Sequence, residues 1–409
     1  MHVNNSRKFS VEDLAIFNGK SLFEQPKSTS SLSRPDFQNF LHYSKEFFSA
    51  GHYTNNGPLV RKLESRLASF HQAEFCITFC SGFWALVLAI SSLKINGKSE
   101  VIMPSLTYRR MADIAAWVGL TPRFCEVDED TLSLSAETVN ACINENTAII
   151  LAVHPIVNCC DVQQLIELGR AKNIPVLFDS VESVYEAVPT GKVGGIGEAE
   201  VFSMHASKLL NGFEGGYVTT NNAELAEKLS ILRTFGFKGQ DNCVIDGALN
   251  AKLNEIHAAM ALANLDDIER LVQDNKKRYQ VYEKGLAELK GLRLLDFNQA
   301  YPTSYKNIVA EVLGDWSLSR DLTVSILNTE NILARAYYSP PLHKKKMAYS
   351  YIPAELPVTE ELSEKFLLLP CGDLVTTEDI EEVIGLLRFI GQHGTEILMH
   401  LDILQKNNE

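Results

Sequence analysis

Short apolar runs recur through the first half of the chain and predict the strands of one sheet. Seven such runs are separated mostly by segments in which apolar residues have helical spacing, such as 162–173. Strands that alternate with helices form a largely parallel sheet covered by helices on both faces, so the pattern predicts an α/β fold. The runs are CITFC (76–80), VIMPS (101–105), PRFCEV (122–127), AIILAV (148–153), PVLFD (175–179), EVFSMH (200–205) and GYVTT (216–220).

The pattern changes beyond these runs and predicts a second domain. A long helical pattern from about Leu253 to Leu286 connects to a remainder that mixes strand-like runs such as NIVAEVL with the amphipathic segment IEEVIGLLRFIGQ. The first thirty or so residues are polar and weakly periodic. We therefore predict a peripheral N-terminal extension (1–30), a large domain (31–286) and a small C-terminal α/β domain (287–409).

Charge and composition argue against several classes of partner. A formal net charge of −13 disfavours binding to nucleic acid or to an anionic membrane. The longest apolar stretches are far too short to cross a bilayer and the N-terminus has no basic-then-apolar layout, so we expect a cytoplasmic protein. The eight cysteines are typical of buried thiols in a reducing compartment. Their spacing predicts no metal site.

One carboxylate and one lysine predict the chemistry. Asp179 closes the apolar run PVLFD, where a charge is costly unless it has a partner. Lys208 follows a later run, in the segment FSMHASK. A Schiff-base cofactor needs both groups, because the carboxylate pairs with a pyridinium nitrogen while the lysine amine bonds to the aldehyde carbon. Lys208 is therefore the candidate nucleophile, against the alternative of an ordinary solvated lysine.

Further polar and aromatic residues follow the other predicted strands. Because ligands in an open parallel sheet bind beyond the carboxyl ends of the strands, these residues are expected to share one crevice. Ser81 and Gly82 precede a helical pattern and offer a helix N-terminus to a phosphate. Tyr108 provides a ring that can stack on a planar cofactor, and Glu182 lies within reach of the same crevice. Each feature is weak alone, but together and in this order they are specific.

A series of short motifs then extends from about residue 31 to residue 390. They are SRPD (33–36), NNGP (55–58), SG..AL (81–86), MPSLTY (103–108), GLTPRFCEVDEDT (119–131), FDSVES (178–183), FSMHASK (202–208), EGGYVTT (214–220), GALNAKLNEIHAAM (247–260), YYSPPLH (337–343) and LPVTEELSEKFLLLP (356–370). In sequence and order they closely resemble the DegT/DnrJ/EryC1/StrS family of pyridoxal-phosphate-dependent aminotransferases, best known for adding amino groups to nucleotide-linked keto-sugars. The resemblance implies fold type I, with a mostly parallel seven-stranded sheet between helices and a smaller C-terminal α/β domain.

The resemblance also implies roles for individual residues. Lys208 lies where the family has the lysine that binds the cofactor, and Asp179 where it has the partner of the ring nitrogen. Glu182 lies at a position near the cofactor, and Tyr108 at the ring-stacking position. The remaining matches are Ser81, Gly82 and Ser203 as phosphate ligands, with Phe83 in the same segment, and Asn250 as the asparagine that reaches the phosphate from a second subunit.

The match at Asn250 implies a homodimer with shared active sites. Tyr338 and His343, in YYSPPLH, match positions near the substrate, against the alternative of a turn packed by two prolines. Phe83 and Trp84 replace a threonine and a small residue of the family, and either narrow the crevice or pack against the N-terminal extension. Arg109 and Arg110, immediately after Tyr108, could attract an anionic group or be an ordinary pair of surface arginines.

The acceptor stays open at this point. The loop HPIVNCC (154–160) and Phe235 replace polar groups of the family with apolar ones, so a nucleotide-linked sugar, a cyclitol and an apolar ketone or aldehyde are all compatible with the sequence. We expect glutamate to be the amino donor. A keto-sugar dehydratase is a second interpretation, although such enzymes have a histidine in place of the lysine. A non-catalytic ligand sensor is a third, although it would be expected to lose Lys208 or Asp179.

Overall fold

The structure is a computed structural model that describes residues 8–29, 32–239 and 242–408. In chain order its strands are β1 Lys27–Ser28, β2 Phe75–Phe79, β3 Glu100–Pro104, β4 Thr121–Cys125, β5 Thr147–Val153, β6 Val176–Asp179, β7 Ala187–Val188, β8 Gly191–Lys192, β9 Ala199–Ser203, β10 Gly216–Thr220, β11 Phe237–Lys238, β12 Asn242–Cys243, β13 Leu292–Leu294, β14 Ile308–Val312, β15 Ile332–Leu333, β16 Arg335–Ala336 and β17 Phe366–Leu369.

The helices lie between these strands. In chain order they are α1 Phe37–Ala50, α2 Pro58–His71, α3 Gly82–Leu93, α4 Met111–Trp117, α5 Ala136–Cys142, α6 Val162–Lys172, α7 Ala223–Leu232, α8 Glu255–Asp266, α9 Ile268–Leu286, α10 Arg320–Thr329, α11 Pro357–Ser363 and α12 Thr377–Asn408. Short 3-10 turns occur at Val11–Asp13, Ala15–Phe17 and Leu342–Lys344. No helix within the described ranges has a stretch that is long and apolar enough to span a membrane.

Seven strands form the large sheet, in the order β2-β10-β9-β6-β5-β3-β4. Strand β10 is antiparallel to both of its neighbours, and the other pairs are parallel. The prediction of a mostly parallel seven-stranded sheet is therefore confirmed. The arrangement brings the carboxyl ends of six strands and the amino end of β10 to one edge of the sheet, which is where ligands bind in open α/β sheets.

Both faces of the sheet are covered, because successive side chains of each strand point to opposite sides. In β5, Ile149 and Leu151 pack in a cluster with apolar residues of α3, α4 and α7. The alternate residues Ile150 and Ala152 pack in a second cluster with residues of α5 and α6. A strand that is apolar along its whole length is therefore buried on both faces, as its sequence predicted.

The C-terminal part of the chain contains an antiparallel four-stranded sheet in the order β13-β14-β17-β16. Helix α12 includes the predicted amphipathic segment and packs on α9. The helical pattern predicted from about Leu253 to Leu286 contains two helices, which meet at Asp267, the residue that ends α8 and begins α9. The Asp267 carboxylate accepts hydrogen bonds from the Asp36 backbone N–H at 2.7 Å and from Arg270 at 3.1 Å.

The described residues of the predicted N-terminal extension contact the C-terminal part of the chain. Residues 8–29 pack on the C-terminal part of the chain, where Val11 and Leu14 are fully buried. Lys8 Nζ lies 2.8 Å from Glu330 Oε2, and β1 pairs in parallel with β15. The physical reason is that a few apolar side chains among polar neighbours complete an existing core, a role that periodicity alone does not reveal.

A C-terminal segment likewise contacts the large sheet. After β16 the chain returns to the large sheet, where the Leu342 backbone N–H donates to Ser105 O at 3.0 Å and Ile352 forms a bridge with Arg123 beside β4. Leu342 and Leu356 belong to the apolar cluster of α3 and α4. Each of the two parts of the chain therefore contributes a segment that packs on the other part.

Candidate active site

Asp179 is the last residue of β6 and is 1% exposed. Its Oδ1 accepts a hydrogen bond from the Val181 backbone N–H at 3.1 Å. Its Oδ2 is buried and has no hydrogen-bond partner among the described residues. Burial raises the pKa of Asp179 to about 7, and the nearby Lys208 ammonium opposes this rise. A buried carboxylate oxygen without a partner fits a cationic N–H donor such as a protonated pyridine nitrogen.

Lys208 lies in the turn that follows β9, where its backbone N–H donates to His205 O at 2.8 Å. Its side chain is 17% exposed, and its ammonium forms an ion pair with Glu182 Oε1. The predicted nucleophile and the predicted ring-nitrogen partner therefore lie at the carboxyl ends of the adjacent strands β9 and β6. Lys208 is accessible from the crevice while its amine is held by a carboxylate.

Glu182 has two lysine partners, one of which sequence reasoning missed. Its Oε2 lies 2.7 Å from Lys306 Nζ and 3.3 Å from Asn307 Nδ2. Burial alone would raise the pKa of Glu182, but the ammonium groups of Lys208 and Lys306 lower it well below its usual range. Lys306 comes from the segment before β14, far along the chain. The run SYKNIVAEVL places a lysine before a strand but carries no local signal that distinguishes it from other lysines.

The predicted phosphate ligands meet at the start of α3. Ser81 is the N-cap of this helix, and its hydroxyl accepts a hydrogen bond from the Trp84 backbone N–H at 3.3 Å. A Cβ added to Gly82 would lie 3.0 Å from Ser203 Cβ, and one added to Gly216 would lie 2.5 Å from Gly82 Cα. The helix N-terminus is thus packed directly against the ends of β9 and β10. Backbone N–H groups and the Ser81 and Ser203 hydroxyls together suit an anionic phosphate.

Tyr108 and Tyr338 lie within electrostatic range of one another. Tyr108 follows β3 and is 49% exposed, so part of its ring is open to a stacking partner. Tyr338 follows β16 with a left-handed backbone (φ 50°). Burial raises the pKa of Tyr338 well above its usual value, and the charges of Glu182, Asp179 and Tyr108 add to this effect. Tyr338 therefore lies near the carboxylates of Glu182 and Asp179.

His343 is buried and has both ring nitrogens engaged. Its Nδ1 lies 2.7 Å from Ser105 Oγ and its Nε2 lies 3.1 Å from Glu360 Oε1. Ser105 follows β3, so His343 links the returning C-terminal segment to the end of that strand. This arrangement favours support of the crevice wall over direct contact with a substrate.

Phe83 and Trp84 pack on a different apolar cluster from the one that contains Val11 and Leu14. Their rings meet edge to face at 5.3 Å, and Trp84 packs in the same way on Trp117 of α4 at 5.1 Å. They form an aromatic group on the apolar cluster of α3 and α4. Asn250 is exposed, and its side chain has no hydrogen-bond partner in the part of the chain that the structure describes.

No group of three or more His, Cys, Asp and Glu side chains suited to a metal ion occurs among the described residues. The fit is instead to pyridoxal phosphate. The orphaned Asp179 Oδ2, the amine of Lys208, the α3 N-terminus and the ring of Tyr108 correspond to the ring nitrogen, aldehyde, phosphate and flat face of that molecule.

Comparisons with known proteins identify similar chains over most of the length. A model of the DegT/DnrJ/EryC1/StrS aminotransferase family matches residues 36–388. A dTDP-4-amino-4,6-dideoxy-D-glucose transaminase of Shigella dysenteriae is 28% identical over 369 residues, which cover 90% of this chain and 100% of that protein. A GDP-perosamine synthase of Caulobacter vibrioides is 29% identical over 334 residues, covering 81% and 90%. The crystal structure of DesI in the presence of its TDP-sugar product superposes with a TM-score of 0.89, at 31% identity, covering 96% and 100%.

Proposed function

The chain belongs to the DegT/DnrJ/EryC1/StrS aminotransferase family and is a pyridoxal-phosphate-dependent aminotransferase; from that premise we propose that it moves an amino group from glutamate to a nucleotide-linked keto-sugar. The predictions of family, cofactor and activity class are confirmed. The acceptor is inferred from the relatives named above, which are a dTDP-sugar transaminase, a GDP-sugar synthase and a TDP-sugar enzyme.

A basic group beside the crevice supports an acceptor that carries phosphates. Arg109 and Arg110 are exposed immediately after Tyr108. Burial lowers the pKa of Lys345, and the charge of Arg109 adds to this effect, so the two cations lie near one another. Arg110 Nε lies 2.8 Å from Asp113 Oδ2, so Arg109 and Lys345 are the two cations of this group that suit contact with a diphosphate, in a chain with a net charge of −13.

The single observation that carries the proposed site is the buried Asp179 Oδ2, which has no partner in the described part of the chain and lies next to the strand that leads to Lys208. Pyridoxal phosphate, when bound, supplies an aldehyde carbon that carries the amino group and a ring that takes up electrons from the reacting carbon. Asp179 would hold the proton on the ring nitrogen. The Lys208 amine would remove a proton from the donor's reacting carbon and deliver it to the carbon that was the cofactor's aldehyde.

The remaining residues bind and orient. Ser81, the α3 N-terminus and Ser203 would hold the phosphate, and Tyr108 would cover one face of the ring. Tyr338 is retained as the candidate substrate contact because it lies near the catalytic charges, whereas the ring nitrogens of His343 are already occupied.

A homodimer is supported by an exposed apolar surface next to the site. This aromatic surface consists of Phe37, Phe48, Tyr53, Phe213 and Ile256, all of which are at least 40% exposed. Phe213 belongs to the loop that follows Lys208 and packs edge to face on Phe40 of α1 at 5.8 Å. A second copy that covered this surface would lie beside the crevice, where Asn250 is free to contribute. All eight cysteines are free thiols, which supports a cytoplasmic location.

Spectroscopy of the loaded protein tests the proposal. Addition of glutamate should bleach the visible absorbance of the bound cofactor and release 2-oxoglutarate, and a nucleotide-linked keto-sugar should restore the absorbance faster than simple ketones or aldehydes. Lys208→Ala should abolish both changes, whereas Lys238→Ala, which removes an exposed lysine paired with Glu227, should not affect them. Restoration by simple ketones alone would contradict the proposed acceptor.

A further inference from the structure

Lys306 is a buried lysine that contacts the active-site carboxylate from the other part of the chain. It is 5% exposed, and its Nζ lies 2.7 Å from Glu182 Oε2. The other oxygen of the same carboxylate, Oε1, is paired with Lys208. One buried carboxylate therefore holds two ammonium groups, and only Lys208 has a role in the chemistry described so far.

The segment that carries Lys306 is fixed in place by its neighbours. The Ser304 backbone N–H and hydroxyl both donate to Glu186 Oε1, at 3.1 and 2.7 Å. Tyr305 has a left-handed backbone (φ 48°), a costly conformation for a tyrosine, and its ring packs 5.2 Å from that of Tyr279. The orientation of Lys306 toward Glu182 is thus determined by several contacts rather than by a flexible surface side chain.

The arrangement of charges has a consequence for Lys208. A lysine can act as a nucleophile or base only as the neutral amine, and a carboxylate at hydrogen-bond distance favours the protonated form. A second cation on the same carboxylate has the opposite effect, because like charges repel. Burial lowers the pKa of Lys306 and the Glu182 carboxylate opposes this, so the two lysines compete for one carboxylate. The other ionisable groups facing this cluster are Asp179, Tyr337, Tyr338 and Cys371.

We propose that Lys306 is a positioning residue that gives Glu182 a second counter-charge. Lys208 can then lie beside this carboxylate as a free amine, and it can move away from the carboxylate when it transfers a proton. Without Lys306, Lys208 would be the only ammonium partner of a buried carboxylate, and separating them would leave an unpaired charge. The inference rests on the proposed role of Lys208. It adds a requirement for a residue from outside the large sheet.

The test measures how the cofactor-free protein captures added pyridoxal phosphate covalently at different pH values. Visible absorbance follows capture, and borohydride reduction with peptide mass spectrometry locates it. In Lys306→Met the pH midpoint of capture should rise by about one unit or more, the size expected for removal of a neighbouring like charge. Lys306→Arg keeps the charge and should retain the wild-type midpoint. In the double variant Lys306→Met with Glu182→Gln, the pH midpoint of capture should return toward the wild-type value, because a neutral amide needs no counter-charge.

Two failures are distinguishable. If the wild-type protein does not capture pyridoxal phosphate at Lys208, the proposed site itself is wrong. If the wild type captures it and Lys306→Met does so with an unchanged midpoint, only the role of Lys306 is refuted. A merely structural Lys306 would lower the melting temperature without moving the midpoint. Should Lys306→Met not fold, Lys306→Gln keeps a hydrogen bond to Glu182 without the charge and must show the same upward shift.

Discussion

Replacement of Asp179 by asparagine should remove a pH-dependent loss of stability from the cofactor-free protein. Burial raises the pKa of Asp179 from 3.8 to about 7, so the folded protein holds a proton that the unfolded chain has already released. Stability therefore falls as the pH rises from about 4 to about 7 and is level above that. The difference between the two pKa values corresponds to a loss of about 4 kcal/mol in the free energy of unfolding at pH 8. Asparagine has no charge to bury.

The assay is the melting temperature of the cofactor-free wild type and of Asp179→Asn between pH 4 and pH 9. Asparagine can keep the hydrogen bond from the Val181 backbone N–H, and any constant cost of its unpaired amide cancels when only the change with pH is compared. The melting temperature of Asp179→Asn should rise relative to that of the wild type as the pH increases to about 7. The exposed control Asp130→Asn should show no such relative rise. A difference that does not vary with pH would refute the view that Asp179 is a buried, unpaired carboxylate.

Three further changes test the remaining parts of the site. Gly216→Ala places a Cβ 2.5 Å from Gly82 Cα and should displace the α3 N-terminus. Titration followed by absorbance should then show cofactor affinity reduced at least about tenfold. An affinity close to that of the wild type would contradict the phosphate site. Tyr108→Ala should weaken cofactor binding roughly fivefold, the value of one stacking contact, whereas Tyr108→Phe should bind normally; equal losses in both would contradict stacking. Phe48→Ser should shift the sedimentation coefficient toward that of the monomer. Trp117→Ser, which replaces an aromatic residue of similar exposure elsewhere, should leave it unchanged. A Phe48→Ser variant that remains a dimer would exclude the aromatic surface from the interface.

The large sheet was predictable because its strands are apolar throughout and its helices are not. Runs such as AIILAV and PVLFD are too short for helices and too apolar for surface strands, and they correspond to β5 and β6. Since parallel strands bring their carboxyl ends together, the sequence also indicated that Asp179 and Lys208 share a crevice. Their adjacency in the structure follows from the pairing of β6 with β9.

Features that depend on distant contacts were not predictable. Lys306 resembles any other lysine near a strand until the fold places it on Glu182. Val11 and Leu14 are isolated in a polar segment, and only the packing of that segment on α10 and α12 explains their burial. Asp267, at which α8 ends and α9 begins, likewise accepts a hydrogen bond from Asp36, which lies far away in sequence. In each case the local pattern is compatible with a solvated residue, and tertiary contacts decide otherwise.

The most direct test of the account is to find which side chain binds the cofactor. The protein loaded with pyridoxal phosphate should be reduced with borohydride, digested, and analysed by peptide mass spectrometry. The account predicts a single pyridoxyl-modified residue, Lys208, in the wild type and none in Lys208→Ala. Modification of a different lysine, or a colourless protein with no modified residue after reconstitution, would contradict it.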